Sequence, residues 1–229
     1  MQTPPHVLIA QSGSAARNYE AVMEHLAIPY TTTLSTISKT TYDMLLLPGG
    51  GDISPDLYHC ENCGSRNIEP QTDLAQLSLL DDFIRRKKPV LGICKGFQLI
   101  QIYFGGALVQ DLQPCRLHYQ PPHDVLHKVR NQKGSFLEKL YGPVCTVNSF
   151  HHQAVLAPAP GLEVLQTAPD HVIEAMRHSV LPVLGFQWHP ERLCLSFRQP
   201  DAIDGLTLFQ SCLISLFPSI RFAAPQLFQ

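Results

Sequence analysis

Pro89-Val90-Leu91-Gly92-Ile93-Cys94-Lys95-Gly96 decides how the chain is read. Residues 89–93 are apolar almost throughout, as strands covered on both faces are. Lys95 to Phe104 carries the spacing of a helix, so Cys94 stands where a strand runs into a helix. A G-x-C-x-G at such a junction is the thiol counterpart of the nucleophile elbow G-x-S-x-G. Gly92 and Gly96 permit the sharp turn and the close packing of neighbouring chain. The positive end of the helix favours thiolate over thiol, and the Lys95 N–H just beyond can face a developing oxyanion. The plain alternative is a buried, inert cysteine.

Working outward, the first half alternates strand and helix signals. His6–Ala10 is a short apolar run, 15–27 reads as a helix and 28–33 is β-prone. Met44–Leu47 reads as a buried strand stopped by Pro48-Gly49-Gly50-Gly51, and 73–87 reads as a helix ending in the cations Arg85, Arg86 and Lys87. This alternation predicts an α/β fold with a mostly parallel central sheet and helices on both faces, in one domain over 1–229. The second half is richer in strands, at 125–130, 144–147, 162–167, 172–176 and 183–186, before a final helix over 202–217. Residues 52–70 and 110–124 are irregular excursions of the kind that build pockets on a rigid frame.

A second segment bears on Cys94. Gln187-Trp188-His189-Pro190-Glu191 follows an apolar strand, where the active-site residues of α/β folds gather. Pro190 pushes His189 toward extended geometry, and side chains two apart then face the same way. Glu191 can therefore accept from one imidazole nitrogen and hold the other toward a thiolate, giving nucleophile, base and orienter as Cys94, His189 and Glu191. Otherwise Glu191 merely opens a surface turn. The glycines after Leu47 expose backbone N–H groups, and Gly50 is the expected second oxyanion donor. The loop lacks the Lys-Ser/Thr ending of a phosphate-binding loop. Gln98, four residues after Cys94, shares its helix face. Asn148, Ser149 and His151 are expected to wall the substrate. His151 and the adjacent His152 should point apart, so they do not share an ion. His118, His123 and His127 read as surface residues.

Composition narrows the class. A formal charge of −2 among 229 residues argues against a protein built to coat nucleic acid, and no apolar run reaches the ~18 residues of a membrane span. The N-terminus does not read as a signal peptide, and seven cysteines without framework spacing fit a reducing cytoplasm. Cys60 and Cys63 have the gap of a zinc knuckle, but one pair cannot close a tetrahedral site.

Five segments occur in order: Leu46–Asp52, Gly92–Gln98, Gly105–Asp111, Val147–Gln153 and Gln187–Glu191. Together they resemble the class I glutamine amidotransferase-like hydrolases, in particular the γ-glutamyl-γ-aminobutyrate hydrolase branch (peptidase C26). The resemblance implies a flavodoxin-like fold and hydrolysis of the γ-amide of a small γ-glutamyl compound through a thioester. It implies Cys94, His189 and Glu191 as the triad, Gly50 and Lys95 as oxyanion N–H positions, and Gln98 as a substrate contact, with no metal or organic cofactor. A homo-oligomer is compatible with it. The alternatives are a glutaminase serving a separate synthetase and a silent binding protein of the same fold. The sequence departs from the branch at Lys95 (usually Arg), Gln101 (usually Asn), Thr72 and Gln76 (an Arg-Asp-x-x-Glu group), His171 (usually Gly) and Arg177 (usually acidic). These departures are expected to bear on the pocket for the leaving amine.

Overall fold

The computed structural model describes residues 4–35, 41–217 and 220. Nine strands form one sheet: β1 (Val7–Ile9), β2 (Tyr30–Thr32), β3 (Met44–Leu47), β4 (Val90–Ile93), β5 (Val125–Asn131), β6 (Val144–Ser149), β7 (Leu162–Thr167), β8 (Ile173–His178) and β9 (Val183–Phe186). Their order is β2-β1-β3-β4-β9-β8-β7-β5-β6. Pairing is parallel from β2 to β9 and antiparallel from β9 to β6. The helices are α1 (Arg17–His25), α2 (Pro70–Arg85), α3 (Lys95–Tyr103), α4 (Phe136–Tyr141) and α5 (Gly205–Leu216). No helix among the described residues is long and apolar enough to cross a membrane.

The apolar runs divide between two cores by the two-residue period of a strand. Val7, Ile9, Met44, Leu46, Leu91 and Ile93 pack on one face with Val22 and Met23 of α1 and Leu208 and Phe209 of α5. Leu8, Leu45, Leu47 and Val90 pack on the other with Leu79, Leu80 and Phe83 of α2 and Phe97 and Ile100 of α3. Every position of β1, β3, β4 and β9 is buried, which is why these strands carry no polar alternation.

Several element bounds differ from expectation, for local reasons. Helix α2 starts at Pro70, three residues early, because proline at the first helical position gives up an N–H that had no partner there. Helix α5 starts at Gly205, where the Asp204 side chain accepts from the Leu206 N–H at 3.0 Å. Strand β6 runs to Ser149 and so takes in Asn148 and Ser149.

Candidate active site

Cys94 sits at the junction of β4 and α3, at a φ of 51° that non-glycine residues seldom adopt. Its N–H donates to the Phe186 carbonyl of β9 at 2.8 Å, which fixes the turn to the sheet. The flanking glycines are required by contact. A Cβ on Gly96 would lie 2.1 Å from the Leu47 oxygen, and one on Gly92 would lie 2.5 Å from the Gly96 oxygen. The sequence pattern and the strained φ are two sides of one tight turn.

His189 arrives from the end of β9. Its N–H donates to Asn148 Oδ1 at 3.1 Å, and its Nδ1 donates to Glu191 Oε1 at 2.8 Å, all three residues buried. Nε2 is buried with no oxygen or nitrogen partner. Burial alone would lower the imidazole pKa. The Glu191 charge, followed by charge and hydrogen bonding from Cys94, outweighs burial and pushes it up to about 10. Gly49 fills the corner between these groups: a Cβ there would lie 3.0 Å from His189 Cε1 and 3.6 Å from Cys94 Cβ. Three residues not singled out from the sequence brace the arrangement. Asp124 accepts from Asn148 Nδ2 and from Arg192 Nη1, each at 2.8 Å, and Arg192 Nε lies 3.6 Å from Glu191 Oε1. Tyr19 accepts from the Gly49 N–H at 2.9 Å. Arg192 adjoins the quoted motif, but nothing local to Asp124 or Tyr19 marks them.

Lys95 has a second role. Its side chain is buried beneath Gly50, where a Cβ would lie 2.9 Å from Lys95 Cδ, and its Nζ lies 2.6 Å from Asp73 Oδ1. Asp73 Oδ2 accepts from the Ser54 N–H at 3.0 Å. The ion pair thus ties the glycine loop to α2 and α3.

A cavity of about 150 Å³ opens over Cys94. Gly50, Gly51, Gln98 and His151 line it, as do Arg66 and Tyr119 from the two excursions. Asn148 and Ser149 do not. The first is committed to His189 and Asp124, and the second donates to the His118 carbonyl at 3.0 Å. Gln98 is partly committed, since its Nε2 donates to the Gln153 carbonyl and to Gln187 Oε1. At the mouth, His152 lies between Asp111 and Asp52, each at 3.0 Å, and its hydrogen bond to Asp52 is the main cause of its raised pKa. The Arg66 guanidinium stacks 5.8 Å from the centre of the Tyr119 ring and lies 3.6 Å from Asp111.

Other expectations are corrected. His118 and His127 are buried, and only His123 of that trio is exposed. His118 is drawn inward because its carbonyl accepts from the His151 N–H and the Ser149 hydroxyl. His127 lies on the inward phase of β5 with Val129 and Asn131. Of the departures from the family pattern, Thr72, Gln76, Gln101 and Arg177 do not line the cavity. Gln76 donates to the Ala10 carbonyl at 2.8 Å, Gln101 joins the Ala157 carbonyl and the Ala159 N–H, and Arg177 pairs with Glu163. His171 adopts a left-handed φ of 69°, a conformation that favours glycine. Cys60 and Cys63 are exposed free thiols and join no metal-holding group among the described residues.

The fold is that of the class I glutamine amidotransferases. A glutamine amidotransferase from Methylobacillus flagellatus matches with a TM-score of 0.63 over 100% of both chains, at 15% identity. Within that class the chain belongs to the peptidase C26 family, whose model matches residues 9–191. It is 34% identical over 160 residues to protein NtpR of Enterococcus hirae, covering 65% of this chain and 66% of that one. It is 32% identical over 164 residues to the γ-glutamyl-γ-aminobutyrate hydrolase PuuD of Escherichia coli K12, covering 65% and 64%. The chain thus spans about two thirds of the length of these relatives.

Proposed function

We propose that the chain is a cysteine-dependent hydrolase of small γ-glutamyl amides. The reading rests above all on His189, held at 2.8 Å by Glu191 through one nitrogen while the other is left to Cys94. In this mechanism the Cys94 thiolate attacks the γ-carbonyl carbon. The N–H groups of Gly50 and Lys95 receive the oxyanion, and losing one such donor costs ~10²–10³-fold in rate. The Lys95 N–H, the first of α3, has no partner within the helix and is available for this, whereas the next, of Gly96, donates to the Pro48 carbonyl at 3.2 Å. Protonated His189 gives its proton to the leaving amine, which departs as the γ-glutamyl thioester forms. His189 then takes a proton from water, and the hydroxide equivalent releases glutamate and free thiol. Arg66, at the cavity mouth beside Tyr119, supplies a cation for a substrate carboxylate. The relative named a γ-glutamyl-γ-aminobutyrate hydrolase supports this substrate class.

The test is kcat/KM for glutamine beside a panel of γ-glutamyl amides, followed by glutamate release, with Cys94→Ala as the inactive control. Turnover of substituted amides by the chain alone is expected. Turnover of glutamine alone, and only with a synthetase added, would replace this reading with that of an ammonia-supplying subunit.

A further inference from the structure

Beside the cavity, and sharing with it the lining residue His151, lies a second group of chemistry-bearing side chains that take no step in the proposed hydrolysis. His118 comes from the second excursion, His127 from β5, His151 from the loop after β6 and Glu174 from β8. All four are at least nine-tenths buried. Glu174 Oε1 lies 3.2 Å from His118 Nδ1, 3.6 Å from His127 Nε2 and 3.8 Å from His151 Nε2. Both Glu174 oxygens, both His127 nitrogens and His151 Nε2 are buried without a hydrogen-bond partner. Five such atoms in one place would be costly in a finished core, since each forfeits about 1–3 kcal/mol of desolvation unless something satisfies it.

We propose that His118, His127, His151 and Glu174 form a structural site for one divalent ion of the zinc type. Tetrahedral ligands at ~2.0–2.2 Å from an ion sit roughly 3.3–3.6 Å from one another. The three separations from Glu174 Oε1 bracket that range, and the ligand atoms of His118, His151 and Glu174 all lie within 4.8 Å of one another. His127 lies outside that group of three, with its Nε2 3.6 Å from Glu174 Oε1, and closure of its imidazole toward His118 and His151 would complete the tetrahedron.

The outer hydrogen bonds have the arrangement such a site needs. An imidazole that binds an ion through one nitrogen is oriented by donating from the other. His118 donates from Nε2 to Asp170 Oδ2 at 2.9 Å, which leaves Nδ1 toward Glu174. His151 donates from Nδ1 to the Gln153 carbonyl at 2.9 Å, which leaves Nε2 toward Glu174. Three imidazoles and a carboxylate select zinc-like ions over magnesium or calcium, and four protein ligands mark a closed structural site.

The ion would join the second excursion, β5, the loop after β6 and β8. It would fix the excursion carrying Tyr119 and the loop carrying Phe150 and His151 against the sheet. It takes no part in the cysteine chemistry, so its test does not depend on turnover.

The full-length chain, expressed without a histidine tag, is purified with added Zn²⁺, dialysed against metal-free buffer and analysed for bound metal. One zinc per chain is expected. Replacement by Co²⁺ should give the intense visible absorption of a tetrahedral site without thiolate charge transfer. Glu174→Gln and His127→Ala should each weaken zinc binding, read by competition with a chelator, at least tenfold. Cys60→Ser/Cys63→Ser should retain the zinc. Chelation should lower the thermal midpoint and open 110–124 to proteolysis. Should a ligand variant fail to fold, the wild-type stoichiometry and the cobalt spectrum still decide. A chain that retains no zinc after dialysis, or zinc that follows the two exposed cysteines and survives Glu174→Gln, would overturn the proposal.

Discussion

Nδ1 of His189 lies 2.8 Å from Oε1 of Glu191 across a single intervening proline, with both side chains buried. Pro190 cannot extend a strand and begins a short 3₁₀ turn at its own position. That turn brings the carboxylate back beside the ring from which it sets out. The imidazole is therefore oriented by the chain's local course, and its other nitrogen is left without an oxygen or nitrogen hydrogen-bond partner.

This relationship has a pH signature. The His189 pKa of about 10 lies above its ordinary value of 6.5, so its contribution to stability is fully present below about pH 6.5 and is lost as pH rises through about 10. The proposed proton donation to the leaving amine needs the same imidazolium. Wild-type kcat should hold up to an alkaline limb near pH 10. In Glu191→Gln the largest contribution raising the pKa is gone, so the limb should move down by at least one unit and kcat should fall ~10²-fold or more. The variant's stability should also become flatter between pH 6.5 and 10. A pH–rate profile with parallel thermal melts checks both. An unmoved alkaline limb would assign Glu191 to the turn alone.

Lys95 and Asp73 form a buried pair whose loss is testable independently of the triad. Asp73→Asn leaves an ammonium buried without its counter-charge, and removing one partner of such a pair typically costs ~3–5 kcal/mol. Urea denaturation should show that loss. Because the pair supports Gly50 and holds the Ser54 N–H, Asp73→Asn should also lower kcat more than it raises KM. Lys95→Met/Asp73→Leu removes both charges and should recover most of the stability while leaving kcat low. Recovery of kcat along with stability would confine the pair to a structural role.

How much of this the sequence revealed depended on how local each signal is. The strand-to-helix turn at Cys94 is encoded within a few residues and could be read directly; the pairing of His189 with Glu191 could be read too, but through extended geometry, whereas the chain makes it through the 3₁₀ turn at Pro190. Asp124 and Tyr19 meet His189 and Gly49 only through the sheet topology, and no spacing announces them. The run Asn148–Gln153 is legible as a polar segment, but its division is not. Extending β6 to Ser149 turns Asn148 toward His189 and Ser149 toward His118, and of the three residues expected to wall the substrate only His151 reaches the cavity, with Phe150, His152 and Gln153 beside it. His118 and His127 were misassigned to the surface because their partner, Glu174, lies 47 or more residues away on β8. Burial of an ionisable group depends on its partner, and that partner is invisible to periodicity.

Asn148 should act on rate through position. Its Oδ1 holds the His189 N–H at 3.1 Å, while its Nδ2 reaches Asp124 at 2.8 Å. Asn148→Ala removes the acceptor of the buried His189 N–H and one of the two donors to Asp124, and so frees His189 to shift. We expect kcat to fall about tenfold or more with KM within twofold of wild type, since no substrate contact is removed. Asn148→Asp keeps the acceptor but sets a second carboxylate against Asp124, so it should not rescue the rate. A rise in KM with unchanged kcat would return Asn148 to the substrate wall.

Arg66 is the residue on which substrate choice should turn. Its guanidinium is about half exposed, stacked on Tyr119 and within 3.6 Å of Asp111 at the cavity mouth. A γ-glutamyl amide whose amine ends in a carboxylate can displace the Asp111 contact and take the guanidinium in its place. A charge-assisted hydrogen bond is worth ~1.5–3 kcal/mol when shielded, and partial exposure argues for the lower end, about tenfold in kcat/KM. Each methylene buried between amide and carboxylate adds about 0.8 kcal/mol, or nearly fourfold, if it is realised in the transition state. Wild-type enzyme should therefore prefer a γ-glutamyl amide of a short ω-amino acid over glutamine. Arg66→Ala should lower kcat/KM about tenfold for that amide and less than threefold for glutamine. Arg66→Lys, which keeps the charge but loses the flat stacking on Tyr119, should fall between them. Steady-state kinetics on the two substrates with the three proteins decides. An equal loss on both would move Arg66 from the leaving amine to the shared glutamyl group, and no loss on either would remove it from recognition.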